Sequence, residues 1–139
     1  MSYLLDTNVV SESMKPLPNR GVTAWLDEVD EDCTFLSVVT LTELRYGTDR
    51  LPTGRRRDRL NAWLALDLPL RFEGRLIVVD AAIAELCGNM IARSEAVGRR
   101  MEVMDAFIAA TAELRGLTVV TRNASHFEPV LDSVLNPWS

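Results

Sequence analysis

Short apolar runs separated by helical patterns constrain this chain more than any other feature. Residues 2–5, Thr34–Val38, Leu76–Val79 and Leu117–Thr121 are each a few residues long and rich in leucine or β-branched side chains. Polar or turn-forming residues bound each one, so they read as buried strands. Between them, apolar residues recur at three- and four-residue spacing, the period of an amphipathic helix. Strands joined through helices need long crossovers, so the pattern predicts a parallel sheet covered by helices on both faces. A last strand is expected near Val134.

The helices have recognisable ends. One runs from Asn8 to about Met14 and is stopped by Pro16 and Pro18, since proline cannot continue a helix interior. Asn19 can cap a second through Asp30, with Val22, Trp25, Leu26 and Val29 on one face. Ser37 or Thr40 can cap a third, carrying Leu41, Leu44 and Tyr46, with Glu43 in its first turn. After a break at Leu51–Gly54, a stretch from Arg55 to about Leu66 turns Leu60, Trp63 and Leu64 inward, and Pro69 ends it. The longest pattern, Ile83, Leu86, Cys87, Met90 and Ile91, starts at Asp80 and runs to Gly98. Glu102–Arg115 is the next, with Met104, Phe107, Ile108, Thr111 and Leu114 on its buried face and Gly116 as C-cap. His126 and Phe127 fall in a short loop.

A chain of 139 residues has room for one domain, residues 1–139. Its formal charge of −5 offers nucleic acid no global attraction, so any such contact has to use a local patch. Cys33 and Cys87 lie in apolar patterns without metal-type spacing. They read as buried free thiols, which suit a reducing cytoplasm. No apolar run approaches the roughly eighteen residues of a membrane span. The start lacks a basic leader and cleavage site, so a cytoplasmic location is expected.

The chemistry is suggested by where the acids stand. Leu4-Leu5 ends abruptly in Asp6, followed by Thr7 and Asn8. The carboxyl end of a strand in an open α/β sheet is where ligands bind. Taken alone, Asp6 reads equally as the N-cap of the following helix. Asp105 stands beside an alanine stripe, Ala109 and Ala112, which suggests a closely packed helix and an acid shielded from bulk water. Burying an unpaired carboxylate is costly, so Asp105 needs a partner. Glu43 by itself reads as a surface charge. Brought together, three acids repel unless a cation lies between them. A hard divalent ion such as Mg²⁺ prefers carboxylate and water oxygens, and such a site can position a phosphodiester and activate water. The other reading keeps each acid as a separate cap or surface charge.

Four blocks bear on that choice: Asp6-Thr7-Asn8-Val9-Val10-Ser11-Glu12, Thr42-Glu43-Leu44, Asp105–Ala112 and Thr121-Arg122-Asn123. In this order they resemble PIN-domain proteins, and the closing Asn136-Pro137-Trp138 resembles the FitB-type branch of the VapC toxins. The resemblance runs end to end. It implies a three-layer α/β/α sandwich around a central, mostly parallel sheet, and Mg²⁺- or Mn²⁺-dependent endoribonuclease activity. It also implies the toxin of a type II toxin–antitoxin pair, a homodimer silenced by a small antitoxin. That antitoxin would bind operator DNA through its N-terminal part and inhibit through its C-terminal part. By the resemblance Asp6, Glu43 and Asp105 match the metal-binding acids. Many members carry a further aspartate where Asn123 stands or three residues on, where this chain has His126. Asn123 adds an oxygen but no charge, so a second metal site would be weak. Asn8 and Thr121 are placed to orient the acids.

Arginine's planar fork suits phosphate. Arg55, Arg56 and Arg57 open one helix, and Arg99 and Arg100 follow another. They read either as RNA contacts or as solvated faces, and His126 as a phosphate contact or a loop residue. Other classes are excluded by missing residues. Lys15 is the only lysine, and it precedes a proline-broken loop. A haloacid-dehalogenase-type phosphatase needs a lysine near the phosphate and an aspartate where Asn8 stands. A receiver domain needs a late lysine, and no P-loop sequence is present. The competing reading is a catalytically weak PIN-like partner of a DNA-binding antitoxin, acting in operator autoregulation.

Overall fold

In the computed structural model, which describes residues 1–139, the five strands form one parallel sheet in the order β3-β2-β1-β4-β5. These are β1 (Tyr3–Leu5), β2 (Thr34–Ser37), β3 (Leu76–Ile77), β4 (Thr118–Val120) and β5 (Val134–Leu135). The chain moves outward from β1 to β3, then returns to β1's free side to add β4 and β5. The strand order therefore reverses between β1 and β4, which pair over Tyr3–Leu5 and Thr118–Val120. A reversal of this kind opens a crevice at the carboxyl ends of the two strands.

Two helical layers cover the sheet. On one face lie α1 (Thr7–Glu12), α2 (Arg20–Glu28), α3 (Val38–Asp49), α4 (Arg55–Ala62) and α5 (Leu68–Arg71). On the other lie α6 (Ala81–Ala96), α7 (Val103–Arg115) and α8 (Ala124–Phe127). Side chains alternate along a strand, so Leu5 and Val120 join Val9, Val22, Leu64 and Phe72 in the first core. Leu4 and Val119 join Ile83, Met90, Ile108 and Phe127 in the second. With apolar layers on both faces, the inner residues of the central strands are apolar on both sides, polar residues standing only at strand ends. Gly116 ends α7 at φ 66°, a left-handed conformation that favours glycine. No helix is long and apolar enough to cross a membrane.

Several expectations need correction. Pro69 does not end its helix: α4 continues through a π-helical turn at Trp63–Asp67 into α5. In that turn the Leu68 N–H reaches back to Trp63 O, and the widened backbone accommodates the proline ring. α1 ends at Glu12 rather than near Met14. β3 and β4 are shorter than their apolar runs, and residues 124–127 form a helical turn, not a loop. Cys87 is buried but Cys33 only half-buried. On α7, Met104 and Leu114 are exposed, whereas Ala106, Ala109, Ala110 and Ala112 are fully buried. The helix lies between α6 and the sheet, and its small face is what lets both come close.

Candidate functional site

The acids reach one edge by different routes. Asp6 directly follows β1, and its backbone N–H extends the pairing to Val120 O at 2.9 Å. Glu43 lies in the second turn of α3, which starts where β2 ends. Asp105 is in the first turn of α7. Because α7 feeds into β4, it runs against the strands and begins at their carboxyl edge.

Asp6 is the most enclosed, at 5% exposure. It does cap α1, with Thr7 N–H donating to Oδ1 at 2.9 Å. Its Oδ2 accepts from the Thr121 hydroxyl at 2.8 Å and from Asn8 Nδ2 at 3.4 Å. Asn8 Nδ2 also donates to Thr121 Oγ1 at 3.3 Å, while Arg122 N–H donates to Asn8 Oδ1 at 3.2 Å. Capping and site-building are thus the same set of contacts.

Glu43 is half-buried, not a free surface charge, and Thr7 Oγ1 donates to its Oε1 at 2.6 Å. Asp105 finds its partner outside its own helix: His126 Nδ1 lies 3.5 Å from Oδ2. Sequence reasoning misses both Thr7 and the Asp105–His126 pair. Thr7 carries one usable signal, its position beside Asp6, but nothing local links residues 105 and 126.

All three acids hold their protons more tightly than usual. Burial is the largest cause for each. For Asp6, the Thr121 and Thr7 hydrogen bonds and the charge of His126 oppose the rise. Glu43 is pushed up further by Asp6 and relieved by Thr7. Asp105 reaches about 6 through burial and the charges of Asp6 and Glu43, against the pull of His126. The carboxylates therefore act on one another across one crevice. They are not closed to the spacing of a preformed metal cage; Thr7, Thr121 and His126 hold them instead.

Basic residues line the approaches. A cleft of about 340 Å³ is walled by Asp105, His126, Arg99, Arg100, Glu102 and Ser125, among others. Arg99 Nη2 donates to Ser125 O at 2.7 Å, and Arg100 pairs with Glu95 at 2.7 Å. A second cleft, of about 230 Å³, brings Arg56 and Lys15 to the same hollow as Thr7 and Glu43. Arg55 and Arg57 do not line either cleft. Asn123 contributes its backbone N–H to Thr121 Oγ1 at 3.0 Å and leaves its side chain exposed.

A parallel sheet that gathers three acids at its switch point, with arginines among the residues lining the clefts beside them, places carboxylate oxygens where an open α/β sheet binds its ligands. Similarity to known proteins gives that arrangement a family. Residues 3–129 match the PIN domain, and the chain belongs to the PIN-domain family. It is 39% identical to the plasmid stability protein StbB of Pseudomonas syringae pv. tomato over 97% of each chain. It is 36% identical to toxin FitB of Neisseria gonorrhoeae, again over 97% of each. It is 35% identical to VapC ribonuclease Y4jK of Sinorhizobium fredii, over 97% of this chain and 96% of that one. Among solved structures, FitAB bound to an IR36 DNA fragment superposes with a TM-score of 0.92 at 34% identity, covering 99% of this chain and 96% of that one. DNA-bound VapBC of Salmonella typhimurium gives 0.80 at 26% identity, covering 100% and 99%.

Proposed function

We propose that this chain is a divalent-metal-dependent endoribonuclease and the toxin of a VapBC-type toxin–antitoxin pair. The observation that carries the reading is the convergence of Asp6, Glu43 and Asp105 on one crevice, where burial raises all three proton affinities and the electrostatic strain from Asp6 adds to the rise at Glu43 and Asp105. A divalent cation would relieve that strain, and an all-oxygen donor set is what Mg²⁺ or Mn²⁺ prefers. When bound, the ion supplies Lewis acidity for phosphodiester hydrolysis by water.

The remaining roles belong to the chain. Asp6, Glu43 and Asp105 would hold the ion. Asn8 and Thr121 fix the orientation of the Asp6 carboxylate, as Thr7 fixes that of Glu43. His126, Arg99 and Arg100, on one side, and Arg56, on the other, would bind backbone phosphates flanking the scissile bond. Asn123 adds no charge, which favours one tightly held ion over two. The relatives' names support ribonuclease and toxin activity, and the FitAB and VapBC complexes support a cognate antitoxin. Operator DNA would be reached through that antitoxin, and a homodimer is the proposed assembly.

The test is RNA cleavage by the purified chain, freed of any antitoxin, across a titration of Mg²⁺ and of Mn²⁺. Cleavage that requires the ion, stops in chelator and disappears in Asp6→Asn is the expected result. A chain that binds an antitoxin and its operator but cuts no RNA at any metal concentration would instead be a regulatory partner. Equal cutting with and without metal would overturn the site.

A further inference from the structure

The segment Asn136–Ser139 is far from the acids in sequence, yet a continuous run of contacts joins it to Asp6. We propose that Asn136 and Trp138 form a positioning latch for the acid site: by holding the carbonyl and side chain of Arg122, they fix its backbone N–H and with it the Asn8 side-chain amide against the Asp6 carboxylate. The inference rests on the proposed function only in taking Asp6 as a metal-holding acid.

The run begins at Asn8. Its Oδ1 accepts from the Arg122 N–H at 3.2 Å, which obliges the NH₂ end to face Asp6 Oδ2 and Thr121 Oγ1. Rotating the amide would set two N–H groups against each other. Whatever holds the Arg122 backbone therefore determines whether Asn8 presents a donor to Asp6.

Arg122 is held from the segment that follows β5. Its carbonyl accepts from Asn136 Nδ2 at 3.3 Å, and its guanidinium stands 5.7 Å from the centroid of the Trp138 ring. Asn136 Oδ1 accepts from the Trp138 N–H at 3.0 Å, so one side chain both shapes the segment and grips Arg122. The Arg122 side chain is thereby directed to the Trp138 ring.

The other end of the segment is pinned to α2. Asn19, which caps that helix, accepts from Ser139 N–H at 3.1 Å, and Asn19 N–H donates to the buried Glu12 carboxylate at 2.8 Å. Gly21 is the fit-determining residue. A Cβ there would collide with Pro137 O and stand 2.8 Å from Ser139 N, so any side chain at this position has to lift the segment off the helix. Gly21 lies on α2, outside the acid site, which gives independent access to the latch.

The experiment compares Asn136→Asp, Gly21→Ala, Trp138→Ala and Trp138→Phe with the parent, each as the full chain. Asn136→Asp keeps the acceptor for Trp138 but loses the donor to Arg122. Gly21→Ala displaces the segment from behind. Three quantities are read: the Asn8 side-chain amide signals by ¹⁵N–¹H NMR without metal, Mn²⁺ affinity by calorimetry, and kcat and KM for RNA. The latch predicts that Asn8's signals move and exchange faster with water in Asn136→Asp, Gly21→Ala and Trp138→Ala. Mn²⁺ affinity falls about tenfold, kcat falls with it, and KM for RNA stays within roughly twofold. Trp138→Phe, which keeps an aromatic face for Arg122, restores the parent values. Unmoved Asn8 signals and parent-like Mn²⁺ affinity in Asn136→Asp and Gly21→Ala would overturn the latch, even where thermal stability drops. Should Asn136→Asp fail to fold, Gly21→Ala decides alone. A parent that neither binds Mn²⁺ nor cuts RNA would overturn the nuclease reading, and Asn8's signals would still judge the latch.

Discussion

The Thr121 hydroxyl donates to Asp6 Oδ2 at 2.8 Å, joining the end of β4 to the end of β1 at the point where the strand order reverses. Thr121 is fully buried, and both its acceptor sites are taken, by Asn8 Nδ2 and by the Asn123 N–H. Its proton is therefore committed to Asp6. Adjacent parallel strands deliver the acid and its support without any long side chain. That is why a small hydroxyl serves here.

Thr121→Val removes the donor to Asp6 and leaves the Asn123 N–H without its acceptor, while Asn8 Nδ2 keeps only Asp6 Oδ2. Unmade buried hydrogen bonds cost about 1–3 kcal/mol, so chemical denaturation should show a loss of that size. Removing an oriented supporting group costs about 10–100-fold in metal affinity or activity, and cleavage should fall accordingly. Thr121→Ser keeps the hydroxyl and should retain most of both. Parent-like cleavage by Thr121→Val would separate the hydroxyl from the chemistry.

Asp105→Asn sets stability against activity. The ionised carboxyl is disfavoured in the metal-free fold, its pKa standing at about 6 instead of 3.8. Replacing it with a neutral isostere should stabilise the metal-free protein at pH 7.5, read from denaturation in chelator. The same variant should have no measurable RNA cleavage. Asp6→Asn should likewise remain folded and inactive. A metal-free Asp105→Asn protein less stable than its parent would mean the carboxylate contributes contacts that outweigh the repulsion.

The pH dependence follows from the same three groups. Each acid is raised in the folded state, so between the unfolded and folded pKa values the native chain binds more protons than the unfolded chain. The stability they contribute is therefore fully present at low pH and is lost as pH rises, for Asp105 across about 4 to 6. Metal binding needs the ionised forms, so stabilisation by Mg²⁺ should grow over the same window and level off above it. Melting temperatures at fixed Mg²⁺ and in chelator, taken every half unit of pH, should converge below about pH 4 and separate above about 6. Curves that stay parallel throughout would detach the ion from these carboxylates.

How much of this is legible in the sequence depends on the range over which each signal acts. Apolar runs that end in Asp6 and Thr121, and the left-handed Gly116 closing α7, are local features, and the sequence carries them openly. The buried face of α7 is misread because Met104 and Leu114 are the larger apolar residues. Close packing between two neighbours selects alanine, so size points the wrong way. Pro69 misleads because a π-helical turn upstream makes room for its ring, and no residue type marks such a turn. The Asp105–His126 pair depends on how α8 is set against α7, a tertiary relationship without local trace. Glu43 reads as exposed because its partner, Thr7, comes from another helix.

The arginines beside Asp105 should differ in their contribution to RNA binding, and the structure indicates the order. Both line the cleft with His126. Arg99 spends one N–H on the neutral carbonyl of Ser125, leaving its charge unpaired. Arg100 is paired with Glu95, both side chains being more than half exposed. Exposed pairs of that kind are weak, about 0–1 kcal/mol, so Arg100 can exchange its partner for a phosphate, but the exchange releases less net attraction. In an Asp6→Asn background, which prevents cleavage, RNA affinity can be measured against salt. Arg99→Ala should flatten the slope of log K against log salt by roughly one unit for each phosphate this arginine neutralises, and Arg100→Ala by less. Arg115 ends α7 at the opposite edge of the sheet, so Arg115→Ala should leave the slope unchanged. An equal change in all three would mean that RNA follows the diffuse field of the surface and not this cleft.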